Sequence, residues 1–149
     1  AGCQQSRKSR SGWVVFVQGC AVQTTTSKQK VVSLSSCESE FYAASQATAD
    51  GLGYRELLLE LFPEAQVELV VKSDSSAARA LASKVGVGRT KHITTRSVWL
   101  QEVIEGGEAR LAKVGTKENP ADILTKVVDP GTQRHLRKFV GLLDQRLEP

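Results

Sequence analysis

Three features of the sequence predict a single α/β (α+β) domain built on a mixed sheet. Two β-branched apolar runs separated by a glycine open the chain. A long, well-capped helical stretch comes next. From there, strand-like and helix-like segments alternate to the far end. The length agrees, because 149 residues is a usual size for one domain and is enough to bury a core. The predicted organisation is a basic loop over 1–11, a core over 12–126 and a helical extension over 130–149.

Residues 1–11 (AGCQQSRKSRS) are polar and basic, which suits a loop. Gly12 to Gln18 (GWVVFVQ) is apolar and β-branched and predicts a strand of the buried kind. Gly19-Cys20 is the expected turn, Ala21 to Thr26 the returning strand of a hairpin, and Val31 to Leu34 a short third strand. Ser35 then fits an N-cap with Glu38 three residues on, a capping-box spacing. The helix it opens is expected to run to Leu61, ahead of Pro63, with Phe41, Ala44, Ala47, Leu58 and Leu61 on its inner side. Gly51 and Gly53 weaken that helix unless something packs closely against it.

Val67 to Lys72 predicts a strand, and Ser73 to Ser83 a helix whose start carries Asp74. Gly86 and Gly88 mark a loop. Arg89 to Glu105 predicts a helix with Ile93, Val98 or Trp99, and Val103 as its apolar stripe. Gly106-Gly107 is a turn and Glu108 to Val114 a strand. Asn119-Pro120 is expected to open a helix with proline at its first position, and Pro130-Gly131 to break it. Leu136, Phe139 or Val140, Leu143 and Leu147 space a final amphipathic helix.

Composition narrows the function classes. The chain is 40% hydrophobic and 24% charged, ordinary for a globular domain. It has no apolar run long enough for a membrane span and no signal-peptide pattern. Cys3, Cys20 and Cys37 are too scattered for a zinc site or a disulfide framework, so a reduced, intracellular setting is expected. Methionine is absent even at position 1, which suggests a piece of a longer polypeptide. The net charge of +4 permits a nucleic-acid partner, and its distribution is more telling. No acid precedes Glu38 and none lies between Asp74 and Glu102, while Arg7, Lys8, Arg10, Lys28, Lys30, Arg79, Lys84, Arg89, Lys91 and Arg96 fill those stretches. Basic stretches alternating with isolated acids suit a polyanion held near a cation site, although each base alone also fits a solvated surface charge.

The acids stand in three motifs beside apolar runs: Ser36-Cys37-Glu38-Ser39-Glu40-Phe41-Tyr42, then Val71-Lys72-Ser73-Asp74-Ser75-Ser76-Ala77, then Glu118-Asn119-Pro120-Ala121-Asp122-Ile123-Leu124-Thr125-Lys126. A carboxylate beside an apolar run is costly without a partner. Three of them from distant stretches of a small domain suggest a shared hard cation such as Mg²⁺. Each also has a plain structural role open to it: Asp74 as a helix cap, Asp122 as a partner of the helix dipole, Glu40 as a surface charge. Glu38 and Glu40 sit two apart on a helix and point to nearly opposite sides, so both cannot serve one site. The capping role takes Glu38.

These motifs, with Ser33-Leu34-Ser35 before the first and Arg89-Thr90-Lys91-His92-Ile93 between the last two, resemble in content and order the ribonuclease H domain of copia-type retrotransposon polyproteins. The resemblance spans Gly12 to Lys126. It implies a ribonuclease H-like mixed sheet with helices on both faces, and a site that binds two Mg²⁺ ions, with Mn²⁺ as a substitute. Glu40, Asp74 and Asp122 are the implied catalytic and metal-binding carboxylates. It further implies cleavage of the RNA strand of an RNA–DNA hybrid, recognised by its 2′-hydroxyls and duplex shape. The implied partner in the same polyprotein is the upstream reverse transcriptase portion. The implied setting is cytoplasmic and particle-associated, with the nucleus as a second compartment.

Ser75, Ser76, Arg89, Lys91, His92 and Lys117 are the candidates for nucleic-acid contact, Lys117 standing where the family carries a mobile histidine. Ser75 and Ser76 equally fit helix caps, and Trp13 and Trp99 fit the core better than base stacking. The family's first strand and the Asp it carries have no counterpart here, since Ala1-Gly2-Cys3 resembles the residues just after that Asp. The strands on either side of it are therefore expected to face a gap, to take a strand from another chain or to rearrange, and the chain alone to be impaired or inactive. A non-catalytic or degenerate nucleic-acid-binding module is the alternative, and a related carboxylate nuclease such as an integrase core is a weaker one.

Overall fold

The computed structural model describes residues 8–30, 32, 33, 35–83 and 95–142, with the side chains of 95–97 excluded. The described elements are strands β1 (Arg10–Val17) and β2 (Cys20–Lys28), helix α1 (Ser36–Leu61), strand β3 (Val70–Ser73), helices α2 (Ser76–Ala82) and α3 (Thr95–Glu105), strand β4 (Arg110–Lys113), and helices α4 (Asp122–Thr125) and α5 (Pro130–Phe139). The α+β class expected from the sequence is what the chain adopts.

The strands form two separate pairs. β1 and β2 are antiparallel, and β3 and β4 are parallel. Among the described residues no strand joins one pair to the other. The described strands thus make two separate sheets rather than one continuous sheet. The hairpin turn is Gln18-Gly19 rather than Gly19-Cys20. Both residues have positive φ, 50° and 81°, the backbone of the two-residue turn whose twist matches paired strands. β1 starts earlier than expected, because Ser11 is buried within it rather than placed in the basic loop. Val32 and Ser33 do not form a third strand. Ser33 Oγ instead donates to Gln29 Oε1 at 2.7 Å.

Helix α1 follows its sequence signals. Ser35 Oγ accepts from the Glu38 N–H at 3.1 Å, and the helix ends at Leu61. Its inner face agrees with expectation at Phe41 and Ala44 and differs elsewhere. Phe41, Ser45, Thr48 and Gly51 are buried, whereas Leu61 is exposed. The two buried hydroxyls return their protons to the helix itself, Ser45 to the Phe41 carbonyl at 3.0 Å and Thr48 to the Ala44 carbonyl at 2.8 Å. They cost little inside and keep that face slim. Gly51 is needed there, since a Cβ would lie 2.7 Å from Leu69 Cδ1.

Against this face packs a core of Phe41, Ala78, Ala82 and Leu100, continuous through Trp99, Ile104 and Leu111 with a second group of Val71, Val103 and Ala109. Leu100 is fully buried, a gain of about 1.5–3 kcal/mol for such a side chain, yet it lies off the stripe predicted for this helix. Trp99 packs in the core and Trp13 is buried with its indole N–H bonded to Asp50 Oδ2 at 2.8 Å.

Strands alternate their faces, and this settles how helices flank the hairpin. Ser11 and Trp13 face α1, through the Gln29 knot and Asp50 respectively. Gly12, between them, faces α4: a Cβ there would stand 2.6 Å from Thr125 Cγ2 and 3.0 Å from Leu124 Cβ. Helices thus lie on both faces of the hairpin. The chain ends differ from expectation too. Pro130 does not break a helix but opens α5, behind an Asp129 cap that accepts from the Gly131 and Thr132 N–H groups. That helix stops at Phe139, and Gly141 turns away at φ 71°. Leu143 and Leu147 lie outside the described residues.

Candidate functional site

Three elements carry the three carboxylates. Glu40 is in the second turn of α1 and half-buried. Its neighbour Ser39 is fixed by Gln29 Nε2, which donates to Ser11 Oγ at 2.9 Å and lies 2.9 Å from the Ser39 carbonyl and 3.1 Å from Ser39 Oγ. That knot ties the start of α1, next to Glu40, to the hairpin.

Asp74 follows β3 directly and is not in a helix. The predicted helix start at Ser73 moves to Ser76 because Ser75 is the cap, its Oγ accepting from the Ala78 N–H at 3.1 Å. The turn around Asp74 is braced on both sides. Ser73 Oγ accepts from the Ser75 N–H at 3.2 Å, and the Arg79 guanidinium donates to the Ser73 carbonyl. Asp122 opens α4 and is buried at 8% exposure. The expected helix start at Asn119-Pro120 is a turn instead. Asn119 Oδ1 accepts from the Ala121 N–H at 3.2 Å, the side-chain mimic of a backbone turn. α4 is held on the hairpin by Thr26 Oγ1, which donates to the Leu124 carbonyl at 2.9 Å, and by the close approach at Gly12.

Asp74 and Asp122 bear on Glu40. Burial pushes the Glu40 carboxyl above its usual value, and the negative charges of Asp74 and Asp122 push it further, against the pull of the Lys126 ammonium. Lys126 Nζ donates to Asp122 Oδ1 at 3.0 Å, one helical turn on. Partial burial works against that ammonium. Its bond to Asp122 and the charges of Asp122, Asp74 and Glu40 outweigh the burial and raise it above its ordinary value. Sequence reasoning assigned no role to Lys126 and looked to Lys117, which is exposed in a short 3₁₀ turn (Thr116–Glu118). The missed signal was the four-residue spacing from Asp122, which puts acid and base on one face of a helix in the favourable order.

The fit to a divalent cation is divided. The donors are hard carboxylates that, among the described residues, carry more negative charge than Lys126 balances, which suits such an ion. The spacing does not close: among the described residues no three histidine, cysteine or acidic side chains are near enough to hold one ion together. Of the nucleic-acid candidates, Ser75 is a cap and Ser76 is exposed at the first turn of α2. Arg89, Lys91 and His92 lie outside the described residues.

An α+β domain with a hairpin, a parallel strand pair and a carboxylate junction at strand and helix ends is the class that fold and site define. Over 143 residues, 95% of the chain, it is 35% identical to the retrovirus-related Pol polyprotein from transposon TNT 1-94 of Nicotiana tabacum. Similar polyproteins from the Arabidopsis thaliana transposons RE2 and RE1 match at 26% and 28% identity over 96% and 95% of the chain. The chain is thus similar to one region of retrotransposon Pol polyproteins. It spans about a tenth of these relatives' length, 11%, 10% and 10%. No protein-family model and no solved structure matches it. No helix among the described residues is long and apolar enough to cross a membrane.

Proposed function

We propose that this region is the ribonuclease H domain of a copia-type retrotransposon polyprotein, cutting the RNA strand of an RNA–DNA hybrid. The observation that carries the reading is the push of Asp74 and Asp122 on the half-buried Glu40 carboxyl, three residues more than 80 positions apart at the extremes, in the order the family motifs require. Glu40, Asp74 and Asp122 would hold Mg²⁺ or Mn²⁺. A pair of such ions supplies an activated water and charge stabilisation at the leaving oxygen. Lys117, Ser76 and the basic stretch with Arg89, Lys91 and His92 would meet the hybrid's backbone, and the upstream reverse transcriptase portion would deliver the hybrid. Reverse transcription in a cytoplasmic particle, with a nuclear stage, is the proposed setting.

A non-catalytic nucleic-acid-binding module is the second reading. It is favoured by the open spacing of the carboxylates and by the strand gap. A hybrid-cleavage assay with Mg²⁺ or Mn²⁺, on the chain alone and extended upstream as in the longer relatives, separates the two. Cleavage by the extended protein is expected. Asp74→Asn should reduce it by more than the roughly 10–100-fold typical of groups that only support metal ligands. Cleavage that survives Asp74→Asn overturns the site, and binding without cleavage by the extended protein supports the second reading.

A further inference from the structure

We infer that this chain self-associates head to tail, the acidic, apolar end of α1 in one copy docking on the basic, apolar end of α5 in the next. α1 ends in exposed leucine. From Leu52 to Leu61 none of its residues is buried, and Leu57, Leu61 and the capping Phe62 are 47%, 60% and 60% exposed. Leu57 and Leu61 stand one helical turn apart and share a face. Glu56 and Glu60, also one turn apart, flank that face, and Glu64 follows it, all three exposed. Arg55 is the base among them, bonded to Glu56 at 3.0 Å. That end is acidic on a chain whose net charge is +4.

The end of α5 is its complement. Arg137 and Lys138 stand in the last turn, with Arg134 one turn before Lys138. Phe139 and Leu142 are exposed beside them. Leu142 and Val140 line a groove of about 240 Å³ with Ala21, Val22, Gln23 and Thr24 of β2. A β-bulge shapes its wall. Val15 pairs with Gln23 and Phe16 with Ala21, so Val22 has no partner on β1 and stands exposed. Single apolar side chains on a surface need no explanation, but clustered ones mark contact sites. The charges around the two clusters choose the occupant. Contact between two like ends would set acid on acid or base on base, which is costly, and the carboxylates of the α1 end repel a polyanion. Acid-flanked leucines on a base-flanked groove satisfy both needs, and a second copy of the chain presents both. α5 packs on α4, which lies on the hairpin face opposite α1, so the two ends belong to different surfaces. Contact between different surfaces of identical chains extends from copy to copy unless it closes into a ring.

Sedimentation of the 149-residue chain over a range of concentrations tests this, with circular dichroism to confirm the fold of each variant. The mean mass of the wild type should climb with concentration past that of a dimer. Leu61→Asp and Leu142→Asp each spoil one end and leave the other sound, and each alone should weaken association at least roughly fivefold. Mixed in equal amounts, the two should pair one to one and stop at a dimer. Glu60→Lys and Lys138→Glu should each weaken association, and the chain carrying both should regain it. A wild type that stays monomeric at every concentration overturns the inference and leaves the groove to residues 143–149 or to a different polypeptide. Association lost in only one of the two aspartate variants shows that like ends meet and overturns the head-to-tail contact. A mixture of the two that stays monomeric overturns it as well.

Discussion

Ser39 and Glu40 are adjacent in α1 and belong to opposite kinds of polar region. On the hairpin side, Gln29 spends its amide on Ser11 and Ser39 and accepts from Ser33, while Asp50 accepts from Trp13 and from Gln23 Nε2 at 3.1 Å. Donors there meet acceptors. On the other side, Glu40 meets the charges of Asp74 and Asp122 with Lys126 as the opposing charge. A saturated cluster repays its burial and holds two elements in register. A cluster with surplus like charge costs stability, and such costs concentrate where groups act on a ligand. The two regions are physically linked, because the knot that fixes Ser39 lies one residue from Glu40 on the same helix.

The strongest way to break this contrast, apart from hybrid cleavage itself, is to open the saturated side. Gln29 is 6% exposed and Ser11 1% exposed. Gln29→Ala would strand the buried Ser11 hydroxyl, at about 1–3 kcal/mol. For a chain of this length, each kcal/mol lowers the melting temperature by about 2–4 °C. Urea unfolding at neutral pH checks this. A loss within the roughly 0.5 kcal/mol typical of surface changes would show that the knot does not fasten α1 to the hairpin.

Ser75 sharpens the comparison from the other side, as a saturated group beside an unbalanced one. Its hydroxyl caps α2 next to Asp74, so Ser75→Ala should cost about 1 kcal/mol of stability. Ser76→Ala, which removes an exposed hydroxyl, should cost little. Hybrid affinity measured on the same variants completes the test. If Ser75→Ala weakens hybrid binding while leaving the melting temperature alone, the hydroxyl serves the ligand rather than the helix.

Much of this was legible in the sequence, and the parts that were not have definite causes. The bounds of α1 were readable because Ser35 and Pro63 are strong local signals. Helical geometry kept Glu38 and Glu40 from sharing one site, and the capping spacing with the family motif chose Glu40. The starts of α2 and α4 were misplaced because Ser75 and Asn119 bond to nearby backbone N–H groups, and which of several serines or turn residues does so is decided by packing. Leu100 was overlooked because α3 buries the side that faces α2 as well as the side that faces β3 and β4, so no single stripe describes it. Lys126 was missed because it is exposed in sequence terms, and its importance comes from Asp74 and Glu40, which only folding brings near.

The subtlest test concerns the unbalanced region without any ion. Burial, then Asp74 and Asp122, raise the folded-state Glu40 carboxyl above its unfolded value. The native state therefore holds the proton more tightly than the unfolded chain does. Between those two values, stability falls as pH rises, and above both the full cost of the ionised Glu40 is present. Glu40→Gln keeps the size and removes the charge. In chelator it should match the wild type at pH below the usual glutamate range, and become the more stable protein as pH climbs toward neutrality. Melting temperatures across that range, taken for both proteins, give the difference directly. A Glu40→Gln variant that is less stable than wild type near neutral pH would mean that Lys126 overbalances the two aspartates, and that the junction is not short of positive charge.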